Sequence, residues 1–454
     1  MVNLLLTAIS GFLVFAAFKP IGLWWLAPLG FALHIFILNR TSRRVLSVAV
    51  FALTINLLLL HWTSIYVGSL PWIILAAGMT VFYLPLALVH KWGIASYPLI
   101  FIILEELRNR FPFGGFGWAR IAYSQADAPY ASIARYGGAT ALSAMVLMIG
   151  LFIYFSSIKK IKIKLLLPVL LVFIPLSVNT QSLTSVLMIQ GNVPKYGLDF
   201  NSRAQAVFNN HVDQTRVALK EVEKVDFIVW PENAVDVDPF TNKKVFLDLE
   251  SFTKPLIVGA IVRKESKVFN TSILWSDQGQ QIYEKQHLTP FGEYIPWRGL
   301  ASKISPYVDQ VQDFSPGNSR QIFSIGSARI SPIICYELLD DSIVANSAKT
   351  SNIMVVQTNN ATFGTSAQSE QQMSITRIRA IEHSRNVVSV STTGYSAFID
   401  YRGKITAQTT MGTADFLQGD IGLIQTLSPR DRLGQWSVVI SLIWLFLIAR
   451  RKVT

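Results

Sequence analysis

Residues 331–341 read SPIICYELLDD and hold Cys335, the only cysteine among 454 residues. A short apolar run closed by a polar cluster is the pattern of a buried β-strand, and this one ends on Cys335, Tyr336 and Glu337. A lone cysteine so placed has two readings, a small buried hydrophobe or a nucleophile. Working outward, the same texture recurs: SVLMIQGNV, VDFIVW, KPLIVGAIV and NTSILW upstream, IMVVQTN, VVSVSTTG and SAFIDYRGK downstream. Polar-faced helical segments lie between some of these, at Arg203 to Val225 and Gln368 to Arg385. Strand and helix alternate, which predicts an α/β domain over residues 179–433.

The rest of the chain is far more apolar. Hydrophobic residues make up 51% of the sequence and charged residues 15%, a balance that points to membrane spans. Apolar runs cover roughly 3–19, 21–38, 45–62, 71–89, 92–107, 138–157 and 165–178, and a last one closes the chain from Trp436 to Ala449. Several approach the ~20 residues that a spanning helix needs. We therefore expect a polytopic α-helical membrane domain of seven helices over 1–178. An eighth transmembrane helix with a basic tail is expected over 434–454. The first run has neither a basic flank nor a small-residue cleavage site and reads as an uncleaved helix. Basic clusters at Asn39 to Arg44, His90 to Trp92, Lys159 to Lys164 and Arg450 to Lys452 all fall on one side if the N-terminus is cytoplasmic. The net charge of +12 then reports orientation rather than nucleic-acid binding. The same count puts the loop 108–137 and the α/β domain outside the cytoplasm. Glu105 and Glu106 read as interfacial, facing the outer domain.

Metal and cofactor chemistry find little support. The six histidines are scattered without helical pairing, and one cysteine cannot build a multi-cysteine site. There is no P-loop, no Gly-x-Ser-x-Gly turn and no convincing dinucleotide loop, so no cofactor and no metal are expected.

In open α/β sheets, chemistry gathers beyond the carboxyl ends of strands. Three such ends stand out. VDFIVWPENA stops at Pro231 and delivers Glu232; QQIYEKQHLTPFGEYIPW carries Lys285 and, eight residues on, Glu293; the opening stretch delivers Cys335. Singly, Glu232 could cap a helix, Lys285 could be a solvated charge, and Glu293 and Glu337 could belong to ordinary ion pairs. Together they supply what thiol chemistry needs. A thiol attacks as thiolate, a carboxylate can take its proton, and a cation can stabilise the oxyanion.

The Glu–Lys–Cys order, with WPEN, EKQHLTPFGEYIP and ICYE, resembles the nitrilase (carbon–nitrogen hydrolase) superfamily. That resemblance implies an extracytoplasmic nitrilase-like αββα sandwich, with Glu232 as general base, Lys285 as oxyanion stabiliser and Cys335 as nucleophile. Eight membrane helices joined to such a domain resemble the apolipoprotein N-acyltransferase family. IQGNVP (Ile189 to Pro194) and TNNATFG (Thr358 to Gly364), followed by QQMSITRIRAIEHSRNVV, are similar to that family's segments as well. The family's supporting residues map onto Glu293, Tyr336 and Glu337. Its commoner version has aspartate at Asn360, tryptophan at Thr362 and a tryptophan within Lys195 to Asn201; this chain is similar to the branch from high-GC Gram-positive bacteria.

The resemblance implies a multi-pass enzyme of the bacterial cell membrane, acting as a monomer, with ping-pong kinetics. Cys335 would take an acyl chain from a glycerophospholipid as a thioester. The α-amine of a diacylglyceryl-cysteine on an apolipoprotein would then accept it. Glu293 would hold Lys285 or Glu232 in register, and Glu337 would shape the nucleophile turn or the lipid-facing opening. The aromatic segments Phe111 to Tyr123 and Tyr294 to Val308 are expected either to rim the opening or to anchor at the membrane interface. The alternative is a membrane-tethered nitrilase-like amidase using the same Glu232, Lys285 and Cys335 with water as acceptor.

Overall fold

The structure, a computed structural model, describes residues 4–175, 177–193, 205–303, 308 and 312–450. Lys195 to Asn201, Pro194, part of the 294–308 segment and the tail beyond Arg450 lie outside the described residues. Two compact units emerge, Met1–Ser177 with Ser428–Thr454, and Val178–Leu427.

In the first unit every apolar run holds helical backbone: Leu4–Ala16, Leu26–Arg40, Arg44–Leu59, Ser69–Val81, Tyr97–Arg108, Ala134–Ser157, Ile163–Phe173 and Trp436–Arg450. Among the described residues, two helical stretches, Ser69–Trp92 and Ala131–Ser157, are long and apolar enough to cross a membrane; the other apolar helices are shorter. Local chemistry accounts for several departures from the expected runs. Ala134–Ser157 starts before the apolar run and breaks at Gly137–Gly138, where Gly138 has φ 74°. Ile163–Phe173 winds as a 3₁₀ helix with Pro168 inside it, a residue that cannot donate to the ladder.

Glu105 and Glu106, expected to be interfacial, are both buried side chains of helix Tyr97–Arg108. Glu106 pairs with Arg120 at 2.5 Å and Arg110 at 2.9 Å, and accepts from Thr140 Oγ1 at 2.6 Å. The expected aromatic rim at 111–123 is divided: Phe111 is exposed, whereas Trp118 and Tyr123 are buried.

The second unit is a sandwich of two six-stranded sheets. Its strands are β1 (Thr180–Gln190), β2 (Phe227–Val229), β3 (Leu256–Lys264), β4 (Lys267–Ser276), β5 (Gly279–Glu284), β6 (Phe323–Ile325), β7 (Ala328–Ile334), β8 (Ile353–Thr358), β9 (Val387–Ser391), β10 (Ala397–Ile399), β11 (Ile405–Gln408) and β12 (Asp415–Ile424). The orders are β12-β1-β2-β3-β4-β5 and β11-β10-β9-β8-β7-β6. A parallel trio sits in each, β1-β2-β3 and β7-β8-β9, with antiparallel strands on both flanks.

The strand period of two explains the layers. Val186 and Met188 of β1, Phe227 and Val229 of β2, and Ile353 and Val355 of β8 join one core shared by both sheets. The alternate residues Leu187, Ile189 and Ile228 point outward and pack with Phe208 and Val212 of helix Ala206–Glu221 and Val245 of helix Lys243–Glu250. Helices Asp341–Thr350 and Gln368–His383 pack on the second sheet. Strands buried on both faces read as continuous apolar runs, which is the texture seen in the sequence.

Candidate active site

The parallel trios decide where the chemistry collects. β2 ends at Val229, and Trp230-Pro231 carry the chain to Glu232. β5 is antiparallel to β4, which is antiparallel to β3, so its carboxyl end lies on the same edge as that of β2. Lys285 follows β5 directly, and its N–H extends the ladder to Asn270 O at 2.8 Å. In the second sheet β7 ends at Ile334, and Cys335 turns the chain with φ 48°, a left-handed conformation uncommon for a residue with a Cβ.

The three side chains meet. Lys285 Nζ lies 3.4 Å from Glu232 Oε1 and 2.8 Å from Glu293 Oε2, and the lysine is 1% exposed. Asn270 Nδ2 donates to both carboxylates, at 2.8 Å to Glu232 Oε1 and 2.7 Å to Glu293 Oε1. The second oxygen of Glu232 accepts the Asn359 N–H at 2.8 Å, and Glu293 Oε2 accepts the Thr289 N–H at 2.7 Å. The Cys335 thiol comes from the opposite sheet, near enough that the charges of Glu232 and Lys285 both act on it. Gly259 of β3 leaves room for this: a Cβ there would lie 2.4 Å from Pro231 O and 2.5 Å from Glu232 Cα.

The electrostatics separate the two carboxylates. Burial pushes Glu232 up, Lys285 opposes this, and the charge of Glu293 adds to the rise. Glu293 is buried too, yet the Lys285 charge and its hydrogen bonds hold it below the usual carboxylate range. Burial draws Lys285 down, but Glu293 and Glu232 outweigh it and hold the ammonium firmly charged. Cys335 is partly exposed as a residue, yet desolvation and the Glu232 charge push its thiol up. A thiol held toward its protonated form thus faces a carboxylate raised above its ordinary value, the arrangement of a nucleophile awaiting its base.

Glu337 ties the nucleophile turn to the lysine strand. Its Oε2 accepts the Ile334 N–H at 2.8 Å, while Oε1 accepts Tyr283 OH and the Gln286 N–H, each at 2.7 Å. Tyr336 is buried, and its ring meets His287 edge-on at 5.3 Å; His287 Nδ1 lies 3.0 Å from Asp340 Oδ2. Asn270, Gly259, Asn359 and Gln372, whose Nε2 lies 3.5 Å from Cys335 Sγ, were not singled out by sequence. Asn270 lies within β4 beside Thr271 and Ser272, so the sequence held no signal that set it apart.

Two family models divide the chain as its composition does. The apolipoprotein N-acyltransferase N-terminal domain matches residues 10–152, and the carbon–nitrogen hydrolase model matches residues 188–427. An apolipoprotein N-acyltransferase of Mycolicibacterium smegmatis is 31% identical across 94% of this chain and 81% of its own length. The chain belongs to the apolipoprotein N-acyltransferase family. Its members are acyltransferases within the carbon–nitrogen hydrolase superfamily, and this chain is an enzyme of that kind. Another apolipoprotein N-acyltransferase, from Vibrio parahaemolyticus, is 26% identical over 96% of this chain and 95% of its own. Among solved structures, a carbon–nitrogen hydrolase superfamily protein from Xanthomonas campestris aligns with TM-score 0.40 and 17% identity, covering 53% of this chain and 91% of that one.

Proposed function

We propose that this N-acyltransferase carries its acyl group on Cys335, with Glu232 as base and Lys285 as oxyanion stabiliser. In the first half-reaction Glu232 takes the Cys335 proton and the sulfur attacks an ester carbonyl of a glycerophospholipid. The C–S bond forms, the ester C–O bond breaks, and the proton returns from Glu232 to the departing lysophospholipid oxygen. In the second, the α-amine of an apolipoprotein's diacylglyceryl-cysteine attacks the thioester and Glu232 removes the amine proton; the C–N bond forms, the C–S bond breaks, and Glu232 passes the proton to the departing Cys335 sulfur. Lys285, with the Tyr336 backbone N–H, would neutralise the oxyanion in both steps.

The observation that supports this reading is the lysine between two carboxylates at 3.4 and 2.8 Å, with the chain's single thiol feeling the charge of Glu232 and of Lys285. Glu293 keeps Lys285 charged and aimed, and Glu337 fixes the turn that presents Cys335. For the helical unit we propose eight spans with a cytoplasmic N-terminus and the catalytic domain outside. The shorter helices would be accommodated by local thinning of the bilayer. A membrane seat suits both substrates, because withdrawing an acyl chain from the bilayer costs about 0.8 kcal/mol per CH₂.

The test uses purified protein in detergent with an alkyne-tagged phospholipid and a diacylglyceryl peptide bearing a free amine. Tag transfer to the peptide as a hydroxylamine-stable amide, abolished in Cys335→Ser, is expected. Turnover of a small soluble amide without phospholipid consumption would contradict the reading.

A further inference from the structure

One feature beside the nucleophile is used by none of these steps. A chain of buried polar groups runs through the second sheet's edge and ends on the sulfur. The Gly394 N–H donates to Ser391 Oγ at 2.9 Å, so the serine's own hydrogen is free to donate onward to Asn360 Oδ1. That fixes the Asn360 amide: its Nδ2 faces the other way and donates to Gln372 Oε1 at 2.8 Å and Gln368 Oε1 at 2.5 Å. Gln368 Nε2 also donates to Gln372 Oε1, at 3.3 Å. With its oxygen so occupied, Gln372 has only Nε2 to offer Cys335 Sγ, at 3.5 Å. Ser391, Asn360 and Gln372 are all buried. The relay starts at a backbone amide, so no member can reverse without leaving a buried donor unpaired. Gly394 is sterically bound to it, since a Cβ there would lie 2.6 Å from Asn360 Oδ1 and 2.8 Å from Ser391 Oγ.

We propose that Gln372 is a positioning residue for Cys335, its amide hydrogen aimed at the sulfur by Asn360 so that the thiolate, once formed, has a fixed neutral donor. Thiol sulfur is a weak acceptor and thiolate a strong one, so this bond favours the ionised form. Gln372 exchanges no proton: the thiol hydrogen goes to Glu232, and the amide keeps both of its own. Lys285 and Gln372 thus act at different moments, the lysine on the carbonyl oxygen and the amide on the sulfur. Asn360 acts one bond further back, by dictating which end of Gln372 faces the nucleophile.

The inference rests on Cys335 being the nucleophile, but its test does not require acyl transfer. Because the chain has one cysteine, iodoacetamide labelling of the full-length protein reports Cys335 alone. The pH midpoint of the labelling rate is measured for wild type and for two near-isosteric variants, Gln372→Glu and Asn360→Asp. Thermal unfolding confirms that each remains folded, and Gln372→Met supplies a neutral replacement of similar size. Asp at 360 still accepts from Ser391 but cannot donate, so Gln372 turns its NH₂ toward it and its oxygen toward the sulfur. The midpoint should rise by about one pH unit in Gln372→Met and Asn360→Asp, and by more in Gln372→Glu, where a carboxylate faces the thiolate; labelling near neutrality falls about tenfold. A changed rate with an unmoved midpoint in folded Asn360→Asp and Gln372→Met would overturn the proposal and leave the relay a packing device. A shifted midpoint in a protein whose Cys335→Ser form still transfers acyl groups would retain the relay and reject the nucleophile assignment.

Discussion

The two sheets of the sandwich bring opposite kinds of group to the same place. From the first come Glu232, Lys285 and Asn270, with Glu293 on the segment that follows; this side is buried charge. From the second come Cys335, the Asn359 N–H, and Asn360 and Gln372, all uncharged at rest. Each half solves a different burial problem. Ionised groups survive inside a protein only when paired and hydrogen-bonded, so the charged half needs a cation shared between two carboxylates and an amide bridging them. A thiol needs no such partner until it ionises, so the group that reaches the sulfur from its own side is a neutral amide, while Glu337 is taken up by the Ile334 and Gln286 N–H groups and Tyr283 OH. The difference teaches where each replacement should hurt: charge removal on the first sheet damages stability and rate together, whereas neutral changes on the second alter the thiol's reactivity with the fold intact.

Glu232→Gln should have the largest effect on this comparison, lowering the acylation rate by about 10²–10⁴-fold as expected for loss of a general base. Its acid limb should vanish as well. Burial raises Glu232, so wild-type activity falls as pH drops through that raised value and the base protonates; a glutamine has no such limb. Rapid-quench measurement of acyl-enzyme formation against pH reads both effects.

Lys285→Met comes next. It removes the oxyanion donor, a loss of about 10²–10³-fold, and leaves Glu232 and Glu293 buried without their cation. Unfolding should show a deficit of about 3–5 kcal/mol, the sign that separates this half of the site from the neutral half. Gly259→Ala changes no functional group, yet its Cβ would press on Pro231 and Glu232. We expect about 1–3 kcal/mol of destabilisation from the overpacking and about tenfold slower acylation from a displaced base.

The smallest effect is expected from Glu293→Gln, a few-fold in rate, and its stability signature is pH-dependent. Glu293 is held below its ordinary value of 4.5 in the fold. Its contribution is therefore present above that value and disappears as pH falls through the depressed one. Wild type and variant should differ in Tm at neutral pH and converge in acid.

Much of this site was legible because strand ends announce themselves. An apolar run stopped by Pro231 and another stopped by Cys335-Tyr336-Glu337 placed Glu232 and Cys335 beyond carboxyl termini, and Lys285 stood in the same relation to a third strand. The neutral partners were not legible. Whether Asn270 faces the site or the solvent depends on register with β3, and Asn359 contributes a backbone N–H that every residue but proline possesses. Gln372 lies on a helix that returns to Cys335 only through the tertiary fold. β6, β11 and β12 also escaped the sequence reading. All three lie at sheet edges, where one flank lacks a partner and the apolar pattern thins. In the helical unit the apolar runs marked where helices lie but not where Gly138 and Pro168 interrupt them.

The most direct measurement is a single turnover with phospholipid and no acceptor, followed by intact-mass analysis and peptide mapping. The account predicts one acyl chain per protein, hydroxylamine-labile, on the peptide containing Cys335, and none in Glu232→Gln on the same timescale. Acylation mapped to any other residue, or phospholipid consumed with Cys335 unmodified throughout, would contradict it.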